Sequence, residues 1–423
     1  MNNYLCIEHR TMTSNTYRTF VYYETAKAHQ YTMLDIDNGE ISHDKALLFK
    51  SHRFEMTKGY QATEDGLRQY AEDFKRWNEE LKQHKIEYTK YYSHMTAVIT
   101  TFMRYGKKQY KEHTPIGQSE AQWMDKCNNG GLSYYDENGE FDCYAYDFKA
   151  FYPWLLNGTT KIPTRAGTEH RLTSLPDKIT QAGYYRVWIE CNDPEIKKLF
   201  SFSKHHTYTH QSLTHAKFLQ RTYTTMTIDL IIDDEPNAYL YDDDCMVKCS
   251  SIFQKWFDKL YDIKTEYPDN KLVKRLLSTL WGTLSSRNAR WVTTDEMKKK
   301  RLSLDDNEIM DWKEVNGERL FHIRPKGKPF KYNIRLKPFI TARGRVKMAN
   351  KIDKIGLDNI QSIMTDGVVY KHTDPVRPKF DKIMTTTFIT DDKYTGRYRW
   401  TSRNKCSLIR PFYPIKRNGK VIK

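Results

Sequence analysis

With 423 residues, 39% of them hydrophobic, the chain is long enough for two or three packed domains, and at a mean hydropathy of -0.80 no stretch approaches the length needed to span a bilayer. Its opening, MNNYLCIEHRTM, has no basic segment running into an apolar one and no cleavage site, and its seven cysteines are scattered. Export and a disulfide framework are both argued against, and a cytoplasm or host-cell interior is the expected location.

No repeat or low-complexity linker divides the chain, which points to interlocked subdomains. In residues 63–94, Leu67, Tyr70, Phe74, Trp77 and Leu81 recur at helical spacing and form one apolar stripe, the pattern of a core-facing helix. The run CNNGG, ending in Gly130 and Gly131, breaks any regular element, and after a turn at 137–139 the alternating FDCYAYDF reads as a strand. The main boundary is placed there. A second strand is expected over 183–191, followed by an irregular His-rich stretch and a hairpin-like passage through 231–244. Helical pattern returns over 252–264, is interrupted at Pro268 and resumes over 270–284. The Lys- and Arg-rich stretch up to Lys331 reads as polar and turn-like. Another helix is expected to begin near Pro338, two short strands to flank Asp366, and a basic tail to run from Arg397 to the end.

Three of these places carry chemistry. In YAYDFKAFYPWL, Asp147 ends a strand, where rigid backbone can present a carboxylate to a hard cation that prefers oxygen ligands. Far downstream, NIQSIMTDGVVYKH puts Asp366 in an Asp-Gly pair between apolar strands, either a second such ligand or simply the common chemistry of a tight hairpin turn. Between them, Lys271, Lys274, Ser278 and Trp281 share one face of a helix whose other face carries Leu272, Leu276 and Leu280. That polar face suits an anion with a planar part, such as a nucleoside triphosphate, and is also what a solvated basic face looks like. A charge of +16 with 14% aromatics fits the first reading, since phosphates are neutralised by cations and bases stack on rings.

The order of these pieces resembles the family B DNA polymerases, the protein-primed subgroup in particular. DFKAFYP (147–153) resembles the family's motif A, KRLLSTLWG (274–282) its motif B and MTDG (364–367) its motif C. The Gly130–Gly131 run is similar to a template-binding motif that precedes motif A, TARGR (341–345) to a primer-side motif, and GRYRW (396–400) to a short element after motif C. The resemblance covers roughly 128–413. It implies an α/β (α+β) right-hand fold with an antiparallel palm sheet, helical fingers and a short thumb. The implied segments are 1–127 as a reduced or replaced exonuclease-like region, 128–250 as palm with motif A and an insertion, 251–290 as fingers, 291–375 as palm with motif C, and 376–423 as thumb. The implied activity is DNA-directed DNA synthesis for a viral or mobile-element genome.

Residue by residue, the resemblance implies that Asp147 and Asp366 are catalytic and bind two magnesium ions, replaceable by manganese, with the carbonyl of Phe148 as a further ligand. Tyr152, Lys264, Lys274, Ser278 and Trp281 would bind the nucleotide. Gly130, Gly131, Lys271, Thr341, Gly344, Arg345, Arg397 and Tyr413 would contact DNA. Template and primer DNA and deoxynucleoside triphosphates are the implied partners, with a terminal priming protein and a separate exonuclease as further ones; whether the primer hydroxyl belongs to protein or DNA stays open.

Departures are also legible. Met364 stands where the family has the first aspartate of motif C, which keeps alive the alternative of a catalytically silent DNA-binding or scaffold protein. Ser278 and Thr279 replace Asn-Ser in motif B, and Trp281 replaces a tyrosine. Near the thumb, Arg410 and Tyr413 are the nearest match to a Lys-x-Tyr motif. At the front, TFVYYETAK keeps Glu24 of the family's first exonuclease motif with Tyr22 in place of aspartate, and the later motifs are not recognisable, so no proofreading is expected. Cys245 and Cys249 with His205, His206, His210 and His215 lack a familiar zinc spacing.

Overall fold

The structure is a computed structural model and describes residues 4–13, 16–24, 31–44, 55–58, 60–91, 93–106, 113–135, 139–148, 150–315, 317–371, 393–402, 405–412, 415–417 and 420–422. Five strands open the chain, β1 (Tyr4–Thr13), β2 (Thr16–Glu24), β3 (Tyr31–Asp35), β4 (Ile41–Asp44) and β5 (Glu55–Lys58). They form one antiparallel sheet in the order β4-β3-β2-β1-β5. Helix α1 (Glu64–Gln83) begins where the Thr63 side chain accepts the Gly66 N–H, and it buries the whole expected stripe, Leu67, Tyr70, Phe74, Trp77 and Leu81. Full burial of each such side chain removes apolar area worth about 1.5–3 kcal/mol from water. Helix α2 (His94–Tyr105) is capped in the same way by Ser93.

Next come α3 (Gln118–Lys126), β6 (Ser133–Tyr135), β7 (Gly139–Asp147) and the short α4 (Phe151–Leu156). The following stretch holds β8 (Lys161–Pro163), β9 (Thr168–His170), β10 (Gly183–Glu190), α5 (Ile196–Leu199), β11 (Thr207–Thr209), α6 (His210–Leu219), β12 (Thr227–Leu230), β13 (Ala238–Leu240) and β14 (Met246–Lys248). Two long helices, α7 (Cys249–Glu266) and α8 (Lys271–Leu284), are separated by Pro268, whose ring cannot continue a helix. After them lie β15 (Arg290–Thr293), α9 (Thr294–Lys299), β16 (Asn307–Val315), β17 (Glu318–Pro325), α10 (Lys337–Ile355), β18 (Ile360–Met364), β19 (Gly367–Lys371), β20 (Lys393–Ser402), β21 (Lys405–Phe412), β22 (Ile415–Arg417) and β23 (Lys420–Ile422).

The chain divides into two compact units, neither continuous in sequence. One joins Met1–Lys107 to Lys255–Thr283; the other joins Lys108–Gln254 to Leu284–Lys423. In the first, Asn270 fixes the start of α8. Its side-chain oxygen accepts the Val273 N–H at 3.0 Å, and its amide donates to the Trp77 carbonyl at 2.9 Å and to Glu80 at 2.8 Å. By this division residues 255–283 share a compact unit with the N-terminal region.

The second unit is built on a six-stranded antiparallel sheet, ordered β21-β20-β7-β19-β18-β6. Strands β20 and β21, expected in a thumb of their own, extend this sheet through pairing of β20 with β7. A second sheet, β11-β10-β13-β9 with β12 also on β10, comes from the stretch between α4 and α7. The polar run before Lys331 is not turn-like throughout; it folds into the three-stranded sheet β15-β17-β16, in which Val292 and Ile323 are buried.

Two of the buried arginines, Arg335 and Arg324, brace this unit through carboxylates. Arg335, fully buried, grips Glu120 with two bonds of 2.6 and 2.8 Å and donates also to the carbonyls of Thr114 and Pro115. Glu120 accepts a further bond from the Tyr241 hydroxyl at 2.8 Å. Arg324, 1% exposed, is shared between Asp125 and Glu308. Such guanidinium forks satisfy charge and hydrogen bonding together, which a buried ion requires.

Candidate active site

The six-stranded sheet brings together what the sequence holds 219 residues apart, Asp147 at the end of β7 and Asp366 in the loop between β18 and β19. Gly367 lies directly opposite Asp147 in the β19–β7 register, and the Phe148 N–H donates to the Asp366 carbonyl at 2.9 Å. Met364 pairs with Gly367, so the hairpin loop is Thr365–Asp366, and the Asp366 N–H turns back to the Met364 carbonyl at 2.7 Å. The positive φ falls on Thr365, at 64°, and not on the glycine of the Asp-Gly pair. A β-branched residue held there stores about 1–3 kcal/mol, and a γ-turn of this hand is uncommon.

What holds Thr365 in place is the Gly130–Gly131 run. The Thr365 N–H donates to the Leu132 carbonyl at 2.8 Å, and a Cβ on Gly131 would sit 2.6 Å from the Thr365 side chain. Gly131 is therefore needed so that one turn can lie against the other. Arg345 completes the arrangement. Its guanidinium, 6% exposed, donates to the carbonyls of Asn129 at 2.7 Å and Gly130 at 2.6 Å, and to the Ser212 hydroxyl at 3.2 Å. Burial pushes its pKa down, to about 10. Thr341 is buried too, with its hydroxyl donating to the Lys337 carbonyl at 2.8 Å. The two polar residues of TARGR expected on a primer thus turn their polar groups into the protein.

Gly344, between them, faces α4: a Cβ there would lie 3.1 Å from the Phe151 ring and 3.5 Å from the Tyr152 ring. Its absence lets α10 pack closely on the helix that follows Asp147. Tyr152 is 8% exposed, and burial pushes its phenol up to about 12, with a smaller raising contribution from the Asp366 carboxylate. Phe148, Phe151 and Tyr152 form a chain of rings with centroids 4.7 and 5.4 Å apart.

In the other unit, α8 behaves as its periodicity demands. Leu272, Leu276 and Leu280 are fully buried, while Lys274 and Ser278 are exposed and Trp281 is half-buried. Lys271 departs from that face. Its ammonium sits 4.3 Å over the Tyr60 ring and 5.5 Å from that of Trp77, and desolvation lowers its pKa. Lys264, on α7, donates to the Pro268 carbonyl at 3.2 Å across the interhelical loop. Thr279, one of the replacements in motif B, is tied into its own unit. Its hydroxyl donates to the Arg275 carbonyl at 2.6 Å and meets His94 Nε2 at 2.7 Å, while His94 Nδ1 meets the Tyr88 hydroxyl at 2.6 Å.

Arg397 lies in β20, paired with Arg410 of β21, and Tyr413 lies outside the described residues. Tyr22 is buried in β2, the strand that Glu24 ends. The histidines and cysteines are engaged separately: His206 stacks on Trp188, His215 meets the Leu199 carbonyl, and burial pushes the Cys249 thiol up. Among the described residues no helix is long and apolar enough to cross a membrane.

Comparison with solved structures places this architecture. Phi29 DNA polymerase complexed with single-stranded DNA matches with a TM-score of 0.56 and 11% identity, over 99% of this chain and 89% of that one. The fold is polymerase-like. Its ternary complex with primer-template DNA and incoming nucleotide substrates matches with a TM-score of 0.52 and 14% identity, over 82% of this chain and 63% of that one. The post-translocation binary complex matches with a TM-score of 0.50 and 11% identity, over 88% and 80%. No protein-family model and no curated protein matches the sequence.

Proposed function

We propose that this protein is a DNA-directed DNA polymerase that adds deoxynucleotides to a 3′-hydroxyl. The observation that carries the reading is the meeting of Asp147 and Asp366 at adjacent strand ends of one sheet, through the opposition of Asp147 and Gly367 and the bond from Phe148 to Asp366. Their residue types fit a hard divalent cation. The Asp366 carbonyl accepts from Phe148, so its offer to a metal is its carboxylate, and Asp147 adds another: the oxygen donors magnesium prefers. When bound, two magnesium ions supply an activated primer hydroxyl and charge neutralisation for the triphosphate and leaving pyrophosphate.

The chain's own residues position the reaction. Thr365, wedged against Gly131, fixes the direction in which Asp366 leaves the sheet. Tyr152, neutral at physiological pH, offers a ring edge beneath the sugar, where it would oppose a ribose 2′-hydroxyl. Lys274 and Ser278, exposed on α8, are assigned to the triphosphate, and the half-buried Trp281 to the base. Arg345 acts as a positioning residue beneath the Gly130–Gly131 turn, which leaves the backbone of that turn to meet the template. A terminal protein as the source of the primer hydroxyl rests on the sequence resemblance alone, as does a viral or mobile-element genome.

The test is primer extension on a short DNA template with magnesium and deoxynucleotides, comparing the native chain with Asp366→Ala and Asp147→Ala. Extension confined to the native chain supports the reading. A native chain that binds DNA and adds no nucleotide with either magnesium or manganese overturns it.

A further inference from the structure

A cleft of about 400 Å³ lies between α6 and α10, and its size suits a small ligand. Arg343 and Asn350 line it from α10, at a seven-residue spacing that puts them on one helix face, while Gly344 looks toward α4. The Arg343 guanidinium has no hydrogen bond or ion pair among the described residues. From α6 come His210, Gln211, His215 and Phe218.

The hydrogen bonds of the two histidines fix opposite faces toward a ligand. His210 Nδ1 accepts the Gly183 N–H at 3.3 Å, so a neutral ring carries its proton on Nε2. His215 must donate from Nε2 to the Leu199 carbonyl at 3.2 Å, which leaves Nδ1 as an acceptor. Burial lowers the pKa of both, that of His210 to about 4, so these tautomers persist at neutral pH. Gln211 adds a buried Oε1 with no hydrogen-bond partner among the described residues. Phe218, 57% exposed, lies nearly parallel to the His215 ring at 14° with the centroids 6.4 Å apart, too far for that ring to cover its face.

One cation with no counter-ion among the described residues, a fixed donor, fixed acceptors and an exposed flat ring form a set that matches a phosphate joined to a heterocycle. We infer that the α6–α10 cleft is a second nucleotide-binding site, taking the phosphate on Arg343, the base edge on His210, His215 and Gln211, and the base face on Phe218. The ligand is a nucleotide unit, either a free mononucleotide or one residue of a single strand. The site requires no metal and uses none of the residues assigned to the proposed polymerase chemistry.

Equilibrium dialysis of the full chain with labelled deoxynucleoside 5′-monophosphates in EDTA tests it. The native chain and Asp366→Ala should retain the mononucleotide equally, while Arg343→Ala and Gln211→Leu should each weaken retention at least tenfold and Arg343→Lys restore part of it. Thermal melts of each variant separate lost binding from lost folding. A phosphorylated tetranucleotide that displaces the label supports the site with a strand as source; label that resists it supports the site with a free nucleotide as source. No retention by the native chain, or retention unchanged in folded Arg343→Ala and Gln211→Leu, overturns the assignment.

Discussion

The loop of Asp366 and the outward face of α8 both carry candidate site residues and hold them by opposite means. Around Asp366 the backbone and its supports are committed: Thr365 to Leu132 and Gly131, Phe148 to Asp366, and Arg345 to two carbonyls and Ser212. On α8, Lys274 and Ser278 stand exposed on a helix whose stability comes from Leu272, Leu276 and Leu280 on its other side. A carboxylate that must meet a metal within a fraction of an ångström needs a rigid backbone. A lysine that meets a mobile phosphate needs only reach.

That contrast can be broken most severely at Asp366. Asp366→Ala should lower primer extension at least about a thousandfold, since metal-borne charge stabilisation is worth several kcal/mol, while the melting temperature stays near that of the native chain. A variant that extends normally would remove the aspartate from the chemistry. Next in size is Arg345→Met, which leaves the Asn129 and Gly130 carbonyls without their donor and should cost about 2–4 kcal/mol in urea unfolding, with extension falling as the turn loosens.

Acid should act through the buried histidines. Burial holds His113 and His210 down to about 4, against 6.5 for the ordinary ring. Between those values the unfolded chain binds protons that the folded chain refuses, so this stability is complete above pH 6.5 and is lost as pH falls toward 4. Each histidine should account for about 2 kcal/mol of the loss between pH 7 and pH 5. Urea titrations of His113→Gln and His210→Asn, compared with the native chain, should show the flatter profile.

Smaller effects sharpen the comparison. Gly131→Ala drives a methyl group into Thr365 and should cost about 1–2 kcal/mol in unfolding, with a matching fall in extension. Lys274→Ala should leave the melting temperature unchanged and raise the nucleotide KM about tenfold, the worth of one charge-assisted contact. Equal loss of stability in Arg345→Met and Lys274→Ala would erase the distinction between the two regions.

Much of the site was legible because its elements are short and local. The alternation FDCYAYDF gives β7, the leucines of 270–284 give α8, and the apolar runs around MTDG give β18 and β19. The positive φ at Thr365 was not legible, because an Asp-Gly pair ordinarily places the left-handed conformation on the glycine, and the deciding contact comes from Gly131. Lys271 likewise shares a helix face with Lys274, and only Tyr60 and Trp77 separate their environments.

Helical and strand periods, and the order of the aspartate, lysine and glycine motifs, were thus determined by sequence alone, since each depends on residues within a few positions of one another. Tertiary structure alone decided which cations face solvent and which become struts. Arg345 reaches Gly130 across 215 residues, and Arg335 reaches Glu120 across the same separation. No local pattern marks either arginine as internal. The carbonyls and carboxylate that make burial tolerable assemble only when the chain folds, because a buried charge is stable only where such partners converge.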